Sequence, residues 1–301
     1  MGIWALVAIS SRAYNTSGAL KVRPCRKIRS DDMTDFNGLK KAMDRPEGVN
    51  EAWSRLDRDH YGKVEFAIQT HYLKKLVKPG ESVIDICGEP GRYAAELLRN
   101  GGKVALAALS DGFLKKAEEE IRRQGLEGGL LAVKKQSPLR LDAFGNAQFD
   151  HALLMGPLIF MDAYEERRQA LSEAARVVKG GGLIFLTMIS NLRCVAEMFY
   201  VPDLKYRLVA LENYSRNIGD ILLSGLDRDA AVRGLIAACG LEIAVTYGTD
   251  SAAGMAFDKI DEMAASEETW HKMLDILIKL SADPSIAGLS SHTTYVLRKP
   301  A

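Results

Sequence analysis

Apolar residues recur at helical spacing over Asn50 to Asp59 and again over Val64 to Val77, with Trp53, Leu56, Ile68, Tyr72, Leu73 and Leu76 carrying the pattern. Pro79-Gly80 ends the second helix. Ser82 to Cys87 then forms a short apolar run of the kind a buried parallel strand requires. From there the pattern alternates. Arg92 to Arg99 reads as helix, Lys103 to Leu109 as strand, Gly112 to Gln124 as helix, Leu130 to Lys134 and Phe149 to Met155 as strands. Tyr164 to Val178 is a helix closed by Lys179-Gly-Gly-Gly182, followed by a strand over Leu183 to Ile189.

Strands alternating with helices imply right-handed crossovers and a doubly wound, mostly parallel α/β sheet of seven strands with helices on both faces. After Asn191 the alternation breaks. Residues 192–228 mix aromatics, Pro202 and charges, and read as an inserted cap. Helices over Asp229 to Cys239 and Glu267 to Leu280, with strands over Leu241 to Tyr247 and Thr293 to Arg298, predict an antiparallel strand pair closing one edge. One domain over residues 49–299 follows, with a helical cover at 49–78. Residues 1–48 lack periodicity and are expected to be a poorly defined extension, with Met33 as an alternative start.

Composition narrows the function classes. The 301 residues are 47% hydrophobic and 26% charged, which supports a large core and excludes wholesale disorder. A net charge of +1 without a basic block gives nucleic acid no electrostatic footing. Cys25, Cys87, Cys194 and Cys239 are scattered and fit neither a zinc site nor a disulfide framework, so no metal is expected and a reducing cytoplasm fits best. Ile3 to Ile9 is apolar but too short to span a bilayer and lacks a basic flank, so no membrane association is expected. Nothing in the composition bears on oligomeric state.

In such sheets ligands bind outside the carboxyl ends of the strands, so the first strand-to-helix turn is the place to look for chemistry. It reads Val83-Ile-Asp-Ile-Cys-Gly-Glu-Pro-Gly-Arg-Tyr93. This run resembles the first motif of class I S-adenosylmethionine-dependent methyltransferases, V-L-D-x-G-x-G-P-G-R-Y. The resemblance continues through Leu109-Ser110, through Phe149-Asp150 and Met155-Gly-Pro-Leu158, and through Glu166-Arg167 to the Lys179–Gly182 run. Trp53-Ser-Arg-Leu56, Glu65-Phe66 with Thr70, and Asp283-Pro284-Ser285-Ile286 through Ser290-Ser291-His292 are similar to the cover and final strand of a small-molecule branch.

The resemblance implies a Rossmann-like methyltransferase fold, S-adenosylmethionine as cofactor and a small-molecule substrate. It places the cofactor against Asp85, Gly88, Glu89, Gly91, Ser110, Gln136, Met155 and Gly156, and the substrate against His292, Phe199 and Tyr200. It assigns no catalytic residue. The motif is degenerate. Cys87 and Glu89 stand at two glycine positions, and a carboxylate at 89 beside the cofactor's own would repel it by about one to a few kcal/mol. Ala108 stands where an acid would accept from the ribose hydroxyls, Gln136 or Ser137 where an aspartate would meet adenine, and Ile159-Phe160 where an aromatic and a histidine follow. Four lost contacts, each worth on the order of 1 kcal/mol, would lower affinity by a few orders of magnitude.

Plainer readings stand beside these. Glu89 reads first as a surface carboxylate favoured by a helix N-terminus, with a new acid or base as the lesser alternative. Cys87 reads as a small core hydrophobe, and His151 and His271 as structural. His60 and His292 lie nearer the expected cover and last strand, though a lone histidine is more often structural than catalytic. Phe199, Tyr200, Tyr206 and Tyr214 line a lid or pack among themselves. Three functions fit: a small-molecule methyltransferase, a cofactor-independent enzyme on the same scaffold that cyclises or rearranges a bound molecule, or a non-catalytic subunit.

Overall fold

A computed structural model describes residues 46–88, 90–161, 163–190, 226–227, 229–255 and 259–301. Its core is a sheet of β1 (Ser82–Ile86), β2 (Lys103–Ala108), β3 (Leu130–Lys135), β4 (Phe149–Met155), β5 (Val178–Ser190), β6 (Leu226–Asp227), β7 (Glu242–Gly248) and β8 (His292–Arg298). The order is β3-β2-β1-β4-β5-β8-β7, with the two-residue β6 beside β5. β1 to β5 run parallel, and β8 lies antiparallel between β5 and β7. The expected antiparallel pair therefore closes that edge, in a fold of the Rossmann-like methyltransferase type. Strand order reverses between β1 and β4, which opens a crevice at their carboxyl ends.

Two apolar layers sandwich the sheet. On one face Val83, Leu106, Leu153 and Phe185 pack against α2 (His60–Leu76), α3 (Arg92–Arg99), α4 (Asp111–Arg123) and the longer α8 (Glu267–Leu280). The other face sets Ile84, Ala105, Leu154 and Ile184 against α5 (Tyr164–Val177) and α6 (Asp229–Ala238). Neighbouring residues of β1 serve opposite layers because side chains alternate along a strand. Short helices α1 (Pro46–Ser54), α7 (Ile260–Met263) and α9 (Pro284–Ala287) complete the described elements.

Two boundaries differ from the sequence expectation for local reasons. The first helix stops at Ser54 and the second starts at His60, because Asp59 caps the second: its Oδ1 accepts from Gly62 N at 2.8 Å. The Lys179–Gly182 run is the irregular start of β5 rather than a closing turn. Gly181 N donates to Lys299 O at 2.8 Å and Lys299 N to Gly182 O at 3.0 Å, so the run is held along the neighbouring strand's end. The inserted cap, apart from Leu226 and Asp227, and the extension up to residue 45 lie outside the described residues. No helix among those described is long and apolar enough to cross a membrane.

α2 positions the site. Val64, Ile68 and Leu73 are at most 1% exposed, a burial worth about 1.5–3 kcal/mol per large side chain. Beside that apolar row runs a polar one, Tyr61, Glu65 and Gln69, one turn apart. Gln69 Nε2 donates to Thr294 Oγ1 at 3.1 Å, and the Tyr247 hydroxyl donates to Gln69 Oε1 at 2.6 Å. Tyr72 stacks on Tyr247 with centroids 3.8 Å apart. These fully buried bonds fix the register of α2 on β8 and β7, because sliding the helix would strand polar groups in apolar surroundings.

Candidate functional site

The carboxyl edge of the sheet gathers most of the residues singled out in the sequence. Asp85, 5% exposed, ends β1 on the α2 face, and the chain folds back over it. A Cβ at Gly88 would lie 2.2 Å from Asp85 Oδ1, so a larger residue there would have to displace the Asp85 carboxylate. Gly91 has φ +82° and lies against α4, where a Cβ would come 2.7 Å from the Cβ of Ala117. Gly91 also begins α3, and among the described residues no side chain caps that helix. Gly156, φ +125°, ends β4 with open space where a side chain would stand.

The remaining expected contacts are occupied by the protein itself. Ser110 Oγ caps α4 by accepting from Phe113 N at 3.0 Å. Gln136 turns into its own loop, with Nε2 on Lys135 O at 2.9 Å and Oε1 accepting from Ala143 N at 3.2 Å. Met155 is buried in the α2-side core. Glu89, Phe199 and Tyr200 lie outside the described residues.

Cys87 behaves as the plain reading expects. Burial pushes its thiol up to about 12, with the Asp85 charge adding to the effect, although the residue as a whole is only half-buried. Since the thiolate is the nucleophile, alkylation of native protein at pH 8 is expected to leave Cys87 unmodified while unfolded chain reacts fully. Peptide mass spectrometry separates it from the other cysteines, and rapid native labelling at Cys87 would contradict this burial.

Across the crevice α2 and the β7–β8 end bring together side chains far apart in sequence. Asp250, 1% exposed, accepts from Ser291 N through Oδ1 at 2.8 Å; its Oδ2 accepts from the Tyr61 hydroxyl and from Ser291 Oγ at 3.1 Å. Tyr61 Oη and Ser291 Oγ are 2.6 Å apart. The adjoining Ser251 adopts φ +50°, and among the described residues the buried Thr249 Oγ1 and Ser251 Oγ meet no hydrogen-bond partner. Strain and unsatisfied hydroxyls at one turn mark a place organised for more than packing. His292 follows Ser291 at the start of β8, half-buried, and acts electrostatically on Glu65.

Glu65 is the strongest buried charge. Burial alone would raise its pKa, but Arg55, bonded to both carboxylate oxygens at 2.8 Å, outweighs it and holds the group down to about 2, with smaller help from His292 and the Tyr93 hydroxyl. The same cover clamps α3. Arg92 lies over the rings of Trp53 and Phe66 and pairs with Asp57, whose carboxyl is lowered chiefly by that bond.

Tyr61 and Asp250 are absent from the sequence expectation, because Asp250 sits in an ordinary Gly-Thr-Asp-Ser turn and its partners come from 189 and 41 residues away. Of the histidines read as structural, His151 is so placed, its Nδ1 accepting from Leu183 N at 3.1 Å, which leaves Nε2 to donate to Glu81 at 2.9 Å, whereas His271 is exposed on α8. His60 bonds Asp261 at 2.6 Å on the rim. A separate cleft of about 450 Å3 between the β3–β4 connection and α5 includes Arg140, Asp142, Glu173 and Arg176, which pair among themselves. Among the described residues no cluster has the make-up of a metal site.

The residues fit one half of S-adenosylmethionine and not the other. An uncapped helix N-terminus behind a bare Gly91, with space at Gly156, suits the carboxylate and chain of an amino acid. At the end of β2, Ala107 and Ala108 offer a sugar no side-chain acceptor.

Residues 84–186 match the methyltransferase-domain family. The chain is 26% identical over 206 residues to the ubiquinone/menaquinone biosynthesis C-methyltransferase UbiE of Edwardsiella ictaluri, covering 65% of this chain and 74% of that protein. Among solved structures it resembles a chain of the complex between the Haloferax volcanii Trm112 methyltransferase activator and a methyltransferase, at 16% identity and TM-score 0.55 over 87% of this chain and 97% of that one. It also resembles the [4+2]-cyclase SpnF, at 15% identity and TM-score 0.51 over 78% and 81%.

Proposed function

We propose that this chain, which resembles class I S-adenosylmethionine-dependent methyltransferases, moves a methyl group from that cofactor to a small molecule held beside Tyr61, Asp250 and His292. The observation that carries the reading is the placement, on one sheet edge, of the uncapped α3 N-terminus opposite the Tyr61–Asp250–Ser291 cluster. The C-methyltransferase named among the relatives supports a small organic acceptor.

S-adenosylmethionine, when bound, supplies an electrophilic methyl group on a sulfonium. The chain's own part is to bind and orient. The first-turn N–H groups of α3 take a carboxylate, and the helix dipole favours it there. Asp85 shapes the turn that brings Gly91 against α4. Tyr61 and Ser291, held by Asp250, present hydroxyls to a donor group on the acceptor molecule, and the Arg92 clamp keeps α2 closed over the crevice. Holding two reactants in line supplies much of the acceleration such a transfer needs, and where the acceptor is already nucleophilic its proton is lost to solvent without a strong base.

One observation favours a second reading, a cofactor-independent enzyme that folds a reactive molecule for cyclisation or rearrangement: the alanine wall at β2. Calorimetric titration of the purified chain with S-adenosylmethionine and S-adenosylhomocysteine separates the two. Dissociation constants in the micromolar range are expected. No heat at millimolar ligand would discard methyl transfer and leave the second reading.

A further inference from the structure

The hydroxyl protons of the Tyr61–Ser291–Asp250 cluster can be followed one by one. Asp250 accepts through both oxygens: Oδ1 from Ser291 N at 2.8 Å, and Oδ2 from the Tyr61 hydroxyl and from Ser291 Oγ at 3.1 Å. Tyr61 Oη and Ser291 Oγ are 2.6 Å apart, so a hydroxyl proton lies between them. Each hydroxyl has a single proton. If the Tyr61 proton lies on Asp250, that of Ser291 lies on Tyr61. If the Tyr61 proton lies on Ser291, that of Ser291 lies on Asp250. Both arrangements keep the hydroxyl protons inside the ring formed by Oη, Oγ and Oδ2, so the ring meets anything else through lone pairs alone. Donation to a carboxylate also polarises a hydroxyl oxygen and makes it a stronger acceptor.

Tyr61 and Ser291 are half-buried at the start of α2 and just ahead of β8, above a carboxylate that is 1% exposed. A group that meets Oη or Oγ there must bring its own hydrogen; one with lone pairs only would press oxygen against oxygen. Charge acts in the same direction, because Tyr61 and Ser291 are neutral donors and do not offset the charge of Asp250. We infer that this cluster selects the molecule to be methylated by an O–H or N–H donor, and that the substrate is an uncharged or cationic alcohol, phenol or amine rather than an anion or a carbonyl compound. Tyr61 and Ser291 are thereby specificity-determining residues. The inference rests on the methyl-transfer reading above for the role of the bound molecule as acceptor.

The test is ligand-observed NMR titration of the full chain, without cofactor, using benzyl alcohol, benzylamine, benzaldehyde and benzoate, which share one ring and differ in the polar group. The alcohol and the amine are expected to bind at least about tenfold more tightly than the other two, tenfold being 1.4 kcal/mol. The tighter of the pair identifies the donor, and either order supports the inference. Tyr61→Phe keeps the ring and removes the oxygen, and should bring the compounds within about threefold of one another. Asp250→Asn substitutes an amide that itself donates, turning a hydroxyl proton outward, so benzaldehyde should gain on benzyl alcohol. If circular dichroism shows that Asp250→Asn does not fold, Tyr61→Phe decides alone. Equal binding of all the compounds to the native chain overturns the inference, as does a preference that survives Tyr61→Phe, or no binding by any of them at millimolar concentration. Each of these outcomes leaves the cofactor reading standing, because that reading is decided separately by titration with S-adenosylhomocysteine.

Discussion

Arg55→Met is expected to destabilise the fold by about 3–5 kcal/mol, because it leaves the Glu65 carboxylate buried without its partner. Glu65 is 7% exposed and receives two bonds from the Arg55 guanidinium, so the lost pairing cannot be replaced by water without opening α2 from the sheet. Urea denaturation should show a lower midpoint at unchanged slope. The double variant Arg55→Met with Glu65→Gln should recover most of the loss, since a neutral amide is far cheaper to bury than a charge. A single-variant loss below about 1 kcal/mol would show that the pair behaves like an exposed one.

The pH dependence of stability differs in sign between the native protein and the same variant. In the native protein Glu65 lies at about 2, below its ordinary 4.5, so its charge favours the folded state. That stability is fully present above 4.5 and is lost as pH falls through about 2. Asp150, held near 2 against burial by Lys179 and Ser82, adds in the same direction below its ordinary 3.8. Without Arg55 the burial of Glu65 has the upper hand and its pKa rises. The contribution of Glu65 then reverses: the variant should be least handicapped in acid and most handicapped at neutral pH.

Gly91→Ala should cost about 2–5 kcal/mol and abolish calorimetric binding of S-adenosylhomocysteine. Two effects add. An L-residue at φ +82° loses about 1–2 kcal/mol to its own backbone. The new Cβ, 2.7 Å from the Cβ of Ala117, must push α4 outward, and overpacking of that kind costs about 1–3 kcal/mol. Moving α4 or the turn also displaces the α3 N-terminus. Gly80→Ala is the control: φ is +88° and no atom lies within 4 Å of its Cβ, so it carries the backbone cost alone. Equal losses in the two variants would mean that the contact with Ala117 gives way freely and that the α3 N-terminus is not set by it.

The order of strands and helices was legible because a parallel sheet writes itself into local pattern. Buried strands are short apolar runs, and the intervening helices carry one apolar stripe; Arg92–Arg99, Phe149–Met155 and Glu267–Leu280 all stand where that pattern put them. The glycine turn after β1 was likewise visible, since left-handed backbone and close approach to α4 demand glycine at Gly91. That the end of β2 carries an alanine, with no side-chain acceptor, could also be read directly.

Other features were decided only by the assembled structure. Ser110 and Gln136 look available in the sequence, and only the folded chain shows them spent on a helix cap and a loop. Arg55 and Glu65 are ten residues apart and could be any two surface charges until α2 is laid on the sheet. Asp250 meets Tyr61 and Ser291 because β7 and β8 end beside the start of α2, a long-range consequence of placing the antiparallel strand between β5 and β7. Local pattern thus determined which segments become strands and helices, through backbone preference and the period of apolar residues. Which charged and polar side chains face one another is a property of tertiary contact, and no period along the chain records it.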